Sequence, residues 1–321
     1  MESKIKIEPV LFFKRTSPPV FVISAIIMLV FILAVTLFTQ ISKSFFDSIQ
    51  LIIIESFSWV FTVSTILFLV LVLFLLLSRF GSIRLSSANE EPEFGYVTWF
   101  AMMFSAGMGI GLVFWSIAEP IKHFIKPPLI EPVTITPVDQ AISVTFFHWG
   151  FHAWAIYVMV GLCLAYFSFR KGLPLTIRSC FYPLLGNKIY GRWGHCIDIF
   201  AVVGTMFGVA TSLGLGAMQI NSGLNFIGNC PETKLTQIAL IALITLFATV
   251  SVVLGLKKGV SRLSYFNVMM SVILLAFVFI LGPTLFIVNT FGEGIKNYLS
   301  NIIYFSYWSE WVATTEWKAN W

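Results

Sequence analysis

Long uncharged stretches alternate with short charged stretches along most of the chain. A helix needs about 20 apolar residues to cross the hydrocarbon core of a bilayer. Stretches of about that length without Asp, Glu, Lys or Arg occupy residues 20–38, 56–77, 96–118, 140–169, 199–231, 235–256 and 263–292. The pattern therefore predicts an all-α integral membrane protein with about seven transmembrane helices.

The third stretch is rich in glycine at its centre, where Gly107, Gly109 and Gly111 alternate with other residues. Each glycine weakens a helix by about 1 kcal/mol relative to alanine. Backbone that leaves the helix at membrane depth is tolerated only where it lines a cavity or is covered by protein. We therefore interpret Gly107, Met108, Gly109 and Gly111 as an unwound helix that forms part of a binding site. Close helix packing through the G-x-x-x-G pair remains the alternative.

The fourth stretch carries three large aromatic residues with polar tips, Trp149, Trp154 and Tyr157. On one continuous helix with about 100° per residue, Tyr157 lies about 80° and Trp154 about 140° from Trp149. Small residues at positions 150, 153 and 161 fall in the same sector of the helix. This face is typical of a pocket, whereas anchoring of the aromatics at the membrane interface is the alternative.

His148 and His152 are spaced for one helix face, but no carboxylate stands between them as in the H-E-x-x-H metal motif, so we predict no metal site. Glu119 and Asp198 lie at the edges of uncharged stretches, which leaves no carboxylate in the middle of the membrane to pair with a cation. A bound cation would therefore be held by aromatic faces, and these favour a large, weakly hydrated ammonium.

Composition supports the membrane class and excludes others. Charged residues make up 11% of the chain and the mean hydropathy is +0.89, whereas soluble domains carry about 25% charged residues. The four cysteines form no C-x-x-C pair, so no disulfide framework is indicated. We predict a lipid bilayer as surroundings, no nucleic-acid partner and no cofactor. No nucleophile–base constellation suggests an enzyme.

The distribution of Lys and Arg predicts the orientation. Fourteen of them lie in the head and in loops 79–84, 170–192 and 257–262, against six in the loops on the other side. Positive residues are retained on the cytoplasmic side. We therefore predict a multi-pass protein of the cell's inner membrane with a cytoplasmic N-terminus and an external tail. Residues 293–321 mix aromatics with charges, which suits an amphipathic helix in the headgroup region.

Several long motifs, in the same order along the chain, resemble the betaine/carnitine/choline transporter family. They are S-R-F-G-S-I-R-L at 78–85, P-E-F at 92–94, W-F-A-M-M-F-S-A-G-M-G-I-G-L-V-F-W at 99–115, A-E-P at 118–120, H-W-G-F-H-A-W-A-I-Y at 148–157, A-Y-F-S-F-R-K-G at 165–172, T-M-F-G-V-A-T-S-L-G-L-G-A-M-Q-I at 205–220 and L-G-P-T at 281–284.

The resemblance implies a leucine-transporter-like fold of two inverted five-helix repeats behind two extra N-terminal helices. On this basis residues 1–19 are a cytoplasmic head, 20–95 contain the two extra helices, and 96–292 are the first repeat. Residues 293–321 are the external amphipathic segment, and we expect the chain to end before a second repeat. The resemblance also implies a homotrimer.

The resemblance further implies that Trp149, Trp154 and Tyr157 form one side of a quaternary ammonium box. It places Ser105, Ala106 and Met108 of the third helix at the backbone around a coupling-ion site.

Thr205, on the fifth helix, is a further candidate for the ion site. Sodium-coupled members are expected to carry a second hydroxyl one turn later, but Val209 occupies that position and offers no oxygen. The choice between Na⁺ and H⁺ coupling therefore remains open. A hydroxyl of Thr205 that bonds back to its own helix is the alternative.

These observations favour a secondary transporter of glycine betaine, choline or carnitine that works by alternating access, with a role in osmoprotection. An amino-acid symporter on the same scaffold and a non-transporting fragment are the alternatives. Because alternating access needs two repeats around one site, we expect these 321 residues alone to be inactive.

Overall fold

A computed structural model describes residues 17–85, 91–107, 109–127, 136–311, 313, 317 and 318. Within these residues every regular element is helical and no strand occurs, which confirms the all-α prediction. The α-helices are α1 Pro18–Leu37, α2 Thr39–Leu77, α3 Tyr96–Gly107, α4 Ile110–Ile125, α5 Pro137–Trp149, α6 Phe151–Ala165, α7 Tyr182–Leu185, α8 Arg192–Gly228, α9 Lys234–Val253, α10 Ser261–Leu281, α11 Thr284–Ser300 and α12 Ile302–Trp311. Short 3₁₀ turns cover Arg79–Ser82, Ile177–Phe181 and Gly186–Tyr190, and π turns cover Tyr166–Arg170 and Leu256–Val260.

Six helical segments among the described residues are long and apolar enough to cross a membrane. They are Pro18–Leu37, Thr39–Leu77, Pro137–Arg170, Arg192–Gly228, Lys234–Val253 and Leu256–Leu281. The third predicted span is not among them because it is divided into α3, of 12 residues, and α4, of 16 residues. Neither piece alone reaches the length of about 20 residues that a bilayer requires.

The second span begins earlier than the uncharged stretch predicts. Helix α2 has 39 residues, which at 1.5 Å per residue is about 58 Å and exceeds the hydrocarbon thickness. The uncharged stretch begins at residue 56, whereas the helix already begins at Thr39. Lys43 and Asp47 pair one turn apart at 2.9 Å on the exposed surface, so charged residues continue the helix there instead of ending it.

The described residues belong to two compact units of the chain. The first unit comprises Met1–Phe57, Leu75–Ala88 and Tyr157–Gly208. Within it, the Arg178 guanidinium pairs with the Asp198 carboxylate at 2.6 Å, and both side chains are largely buried. This pair fastens the segment before α7 to the start of α8.

The second unit comprises Ser58–Phe74, Asn89–Ile156 and Val209–Trp321. Helix α5 packs between α4 and α11 in this unit, and α3 packs against α10. The start of α5 is fixed locally, because Pro137 occupies the first turn and the Thr136 hydroxyl accepts the backbone N–H of Asp139 at 3.2 Å.

A buried cluster joins α5 to the two helices of the tail. It consists of Val144, Tyr298, Phe305 and Trp308. Phe305 and Trp308 are fully buried. The tail aromatics were predicted to lie in the headgroup region, whereas Phe305 and Trp308 pack inside the unit.

Candidate functional site

The third predicted span is interrupted inside its glycine-rich stretch. Helix α3 ends at Gly107, Gly109 is extended with φ −84° and ψ −179°, and α4 begins at Ile110. Met108 lies outside the described residues, and Gly111 falls in the first turn of α4. The first N–H groups of a helix lack intrahelical partners and carry a positive partial charge. The interruption therefore presents polar main chain in the middle of an apolar segment.

The indole of Trp154 lies directly against this interruption. A Cβ atom placed on Gly107 would be 2.4 Å from Cη2 of Trp154 and 2.9 Å from its Cζ3. Real Cβ atoms do not approach so closely, so the ring occupies the space that a side chain at position 107 would need. The structure thus brings a glycine of the third span together with an aromatic residue of the fourth.

The fourth span is interrupted by one residue, Gly150, although Pro137–Arg170 as a whole remains long enough to cross a membrane. Helix α5 ends at Trp149, Gly150 has φ −92° and ψ −140°, and α6 begins at Phe151. The prediction that one continuous helix carries Trp149, Trp154 and Tyr157 on one face is therefore wrong for Trp149, which belongs to α5.

Tyr298 of α11 explains why the chain turns at Gly150. Its phenol oxygen accepts the backbone N–H of Phe151 at 2.9 Å. A Cβ atom on Gly150 would lie 2.7 Å from that same oxygen, so only glycine fits beside it. Burial raises the pKa of the Tyr298 phenol above its usual value.

A buried carboxylate holds Trp149 in place. Glu119 of α4 is fully buried. One of its oxygens accepts the indole N–H of Trp149 at 2.7 Å. His148 Nδ1 lies 2.9 and 3.0 Å from the two carboxylate oxygens, and His123 Nε2 lies 3.3 Å from one of them. The orientation of the Trp149 ring is thus fixed through its N–H by a charged acceptor.

The two histidines of the fourth span do not act together. Whereas His148 contacts Glu119, the Nε2 atom of His152 lies 2.9 Å from the hydroxyl of Ser306 on α12. The turn at Gly150 separates the two rings, so the assumption of one shared helix face does not hold. In the described part of the chain no group of three or more His, Cys, Asp and Glu side chains is arranged to hold a metal ion.

Tyr157 lies on α6, three residues after Trp154, and is 59% exposed. It belongs to the first unit of the chain, whereas Trp149 and Trp154 belong to the second.

The candidate residues for a coupling ion are distributed over both units. Ser105, on α3, donates its hydroxyl to the carbonyl of Ser264 on α10 at 3.4 Å, and Ala106 beside it is exposed. Thr205, on α8, donates to the carbonyl of Ala201 at 2.7 Å, which is the bond back to its own helix that was considered as the alternative. Its side chain borders a cavity of about 650 Å³ between α1 and α8. A hydroxyl that donates keeps lone pairs on its oxygen.

The contacts of Glu119 with Trp149 and of Tyr298 with Phe151 were not predicted from the sequence. An ionisable residue at the end of a long apolar run often indicates a functional contact. Glu119 is such a residue, but from the sequence it was interpreted only as the edge of a segment. Nothing in the sequence links Tyr298 to a glycine 148 positions earlier.

Comparisons with known proteins agree with the motifs. The family model described as betaine/carnitine/choline family transporter matches residues 19–321. The glycine betaine transporter OpuD of Bacillus subtilis is 47% identical over 262 residues, which is 81% of this chain and 51% of OpuD. A glycine betaine transporter of Acinetobacter baylyi is 44% identical over 290 residues, 90% of this chain and 44% of that protein.

A third relative has a different named substrate. The osmo-dependent choline transporter BetT2 of Acinetobacter baylyi is 40% identical over 286 residues, which is 89% of this chain and 42% of BetT2. The chain spans about half the length of the curated relatives it matches. With a family model matched over almost its whole length, the chain belongs to the betaine/carnitine/choline family of transporters.

Proposed function

We propose that the chain forms one half of a secondary transporter for a quaternary ammonium solute, with glycine betaine as the preferred substrate. The observation that carries the proposal is the contact between Trp154 and Gly107 at the interrupted third span. It supports a site where an aromatic face and free main-chain groups meet at membrane depth.

The aromatic faces suit the cationic end of the substrate. A trimethylammonium group is large and weakly hydrated, so it loses little hydration when it enters an apolar site. Cation–π attraction to a tryptophan face is worth about 2 kcal/mol or more when both partners are desolvated. Trp154 at the interruption, Trp149 on α5 and Tyr157 on α6 are the residues that we assign to this end.

The start of α4 suits the anionic end. Glycine betaine carries a carboxylate close to its ammonium group, and the N–H groups at a helix N-terminus attract anions. The start of α4 at Ile110 lies three residues after Gly107, against which Trp154 packs. Choline has no carboxylate and would use only the aromatic end. An amino-acid symporter would use the helix start as well, but a primary ammonium prefers ion pairs and hydrogen bonds to an aromatic face.

The same interruptions support a mechanism of alternating access. Two short helices joined by a few residues can tilt separately, and transporters with broken helices use such segments around a fixed site. We propose that α3 and α4 belong to a first repeat over residues 96–292, with residues 1–19 in the cytoplasm. Reporter fusions after Lys188 and after Lys296 test this orientation. The first should report the cytoplasmic side and the second the external side.

Uptake of labelled glycine betaine tests the proposed function. Residues 1–321 are expressed alone and also fused to the remaining part of OpuD, in cells that lack other uptake of betaine, choline and carnitine. We expect saturable uptake by the fusion and none by the chain alone, because one site requires two repeats. A fusion that reaches the membrane but takes up no quaternary ammonium solute would contradict the proposal.

A further inference from the structure

We propose that Glu119 strengthens the attraction of Trp149 for a cation by accepting the indole N–H of that ring. The inference rests on the proposed function, because it assigns to Glu119 a role behind Trp149, which is one of the three residues of the proposed ammonium box. Glu119 itself touches no substrate in this scheme. It acts through Trp149 and is a positioning residue.

The geometry of the bond supports this assignment. The distance of 2.7 Å between Trp149 Nε1 and the Glu119 oxygen is short for an N–H donor. Hydrogen bonds to an ionised acceptor are about twice as strong as neutral ones. Glu119 is fully buried, so water does not compete for its oxygens.

The electronic consequence follows from the charge of the acceptor. A carboxylate that pulls on the indole N–H pushes electron density into the ring system, which makes the face of the ring more negative. Cation–π attraction depends on that negative face. The bond also fixes the direction of the ring, so the face is presented without a loss of rotamer freedom on binding.

The remaining contacts of Glu119 keep it in this position. His148 Nδ1 approaches both oxygens from α5, and His123 Nε2 approaches one oxygen from α4. The ring of Trp317, in the tail, stacks near His123 with centroids 6.2 Å apart. Two helices and the tail thus surround the carboxylate, and its indole bond is one of several that fix it.

The test compares a cation with a neutral molecule of the same shape. Choline and 3,3-dimethyl-1-butanol differ only in the replacement of the ammonium nitrogen by carbon. Their binding is measured by competition with labelled choline on the fusion of residues 1–321 with the remaining part of OpuD, in lipid nanodiscs. The unaltered fusion should bind choline more tightly than 3,3-dimethyl-1-butanol. We expect this preference to be about fivefold smaller in the Glu119→Gln variant. Glutamine keeps the shape and an acceptor oxygen but removes the charge.

A double-mutant cycle shows whether Glu119 acts through Trp149. Trp149→Phe keeps an aromatic face and removes the N–H. If the indole bond carries the effect, Glu119→Gln changes the preference by less than about 1.5-fold in the Trp149→Phe background. A full fivefold loss in that background would overturn the inference, because the carboxylate would then act through space.

Glu293→Gln is the matched control. Glu293 lies on α11 in the same unit, its side chain is 54% exposed, and it pairs with Lys296 at 3.1 Å. The same chemical change at this surface position should leave the preference for choline unchanged. An equal loss in both variants would also overturn the inference, because it would reflect net charge and not the indole bond.

If the Glu119→Gln variant does not fold, the strength of the indole hydrogen bond can still be measured by spectroscopy on the unaltered protein. Ultraviolet resonance Raman bands report the strength of indole N–H hydrogen bonds, and subtraction of the Trp149→Phe spectrum isolates Trp149. We expect a strongly bonded N–H, and a weakly bonded or free N–H overturns the inference. If the unaltered fusion binds no choline, the proposed function fails and this inference fails with it. If it binds choline and Glu119→Gln changes nothing, only the inference fails.

Discussion

Two glycine-rich membrane segments behave in opposite ways in this protein. The third predicted span breaks between Gly107 and Ile110, whereas α8 runs unbroken for 37 residues although it contains Gly204, Gly208 and Gly214. One difference lies in the surroundings of Gly107, the last residue of α3. Trp154 lies 2.4 Å from the Cβ position of Gly107, but no atom lies within 4 Å of the Cβ positions of those three glycines in α8.

The comparison shows that glycine permits an interruption but does not cause one. A break in a membrane helix leaves backbone groups without partners, and each such group costs several kcal/mol in lipid. Helix α8 avoids this cost by continuing its hydrogen bonds through the glycines. The third span is interrupted where a ring from the next helix packs against the chain.

The largest effect is expected when one added methyl group disturbs the packing between Gly107 and Trp154. In the fusion with OpuD, Gly107→Ala places a Cβ atom 2.4 Å from the Trp154 ring. Overpacking costs about 1–3 kcal/mol, so the affinity for glycine betaine should fall by up to about 100-fold. The measurement is the concentration dependence of labelled uptake.

Gly208→Ala is the control for this change, because it adds the same methyl group to α8 where no atom lies within 4 Å. It should leave uptake unchanged, since alanine favours a helix by about 1 kcal/mol. Equal losses in the two variants would remove the distinction between the two segments.

The second effect concerns the aromatic face itself. Trp154→Leu keeps an apolar side chain and removes the π face. We expect the affinity for a trimethylammonium substrate to fall about tenfold, which corresponds to about 1.4 kcal/mol and lies within the range of cation–π contacts. Trp59→Leu on α2, where the tryptophan is 53% exposed, is the control and should have no effect. Unchanged affinity in Trp154→Leu would reduce Trp154 to a packing role.

The third effect is on stability and concerns the second interruption. Tyr298→Phe removes the acceptor for the Phe151 N–H, which then has no partner at the turn on Gly150. The loss of one such bond costs about 1–3 kcal/mol when the remaining group stays buried. The apparent melting temperature of the purified chain should fall, whereas Tyr265→Phe, at an exposed position of α10, should leave it unchanged. No difference between the two variants would mean that Tyr298 does not hold the turn.

The sequence was sufficient for the class of protein and for the weak point in the third span. Apolar lengths and the low charge content follow from the bilayer, so they appear in the sequence directly. The turn at Gly150 was missed because its cause is Tyr298, far along the chain. The bond between Glu119 and Trp149 was missed for the same reason, since the partners are 30 positions apart on separate helices. Periodicity describes one helix at a time and contains no information on which side chains two helices bring together.

The smallest effect is expected on the continuous helix, at Thr205. Its hydroxyl already donates to the Ala201 carbonyl, and the position one turn later is Val209, which offers no oxygen to a hard cation. Thr205→Val should therefore change uptake by the OpuD fusion less than about twofold, because it removes only a bond within α8. Uptake is compared in sodium and in potassium buffers free of choline, with Ser105→Ala as the partner variant from the interrupted region. If a steep sodium requirement disappears in Thr205→Val and persists in Ser105→Ala, the ion depends on the continuous helix, and the contrast between the two segments does not extend to coupling.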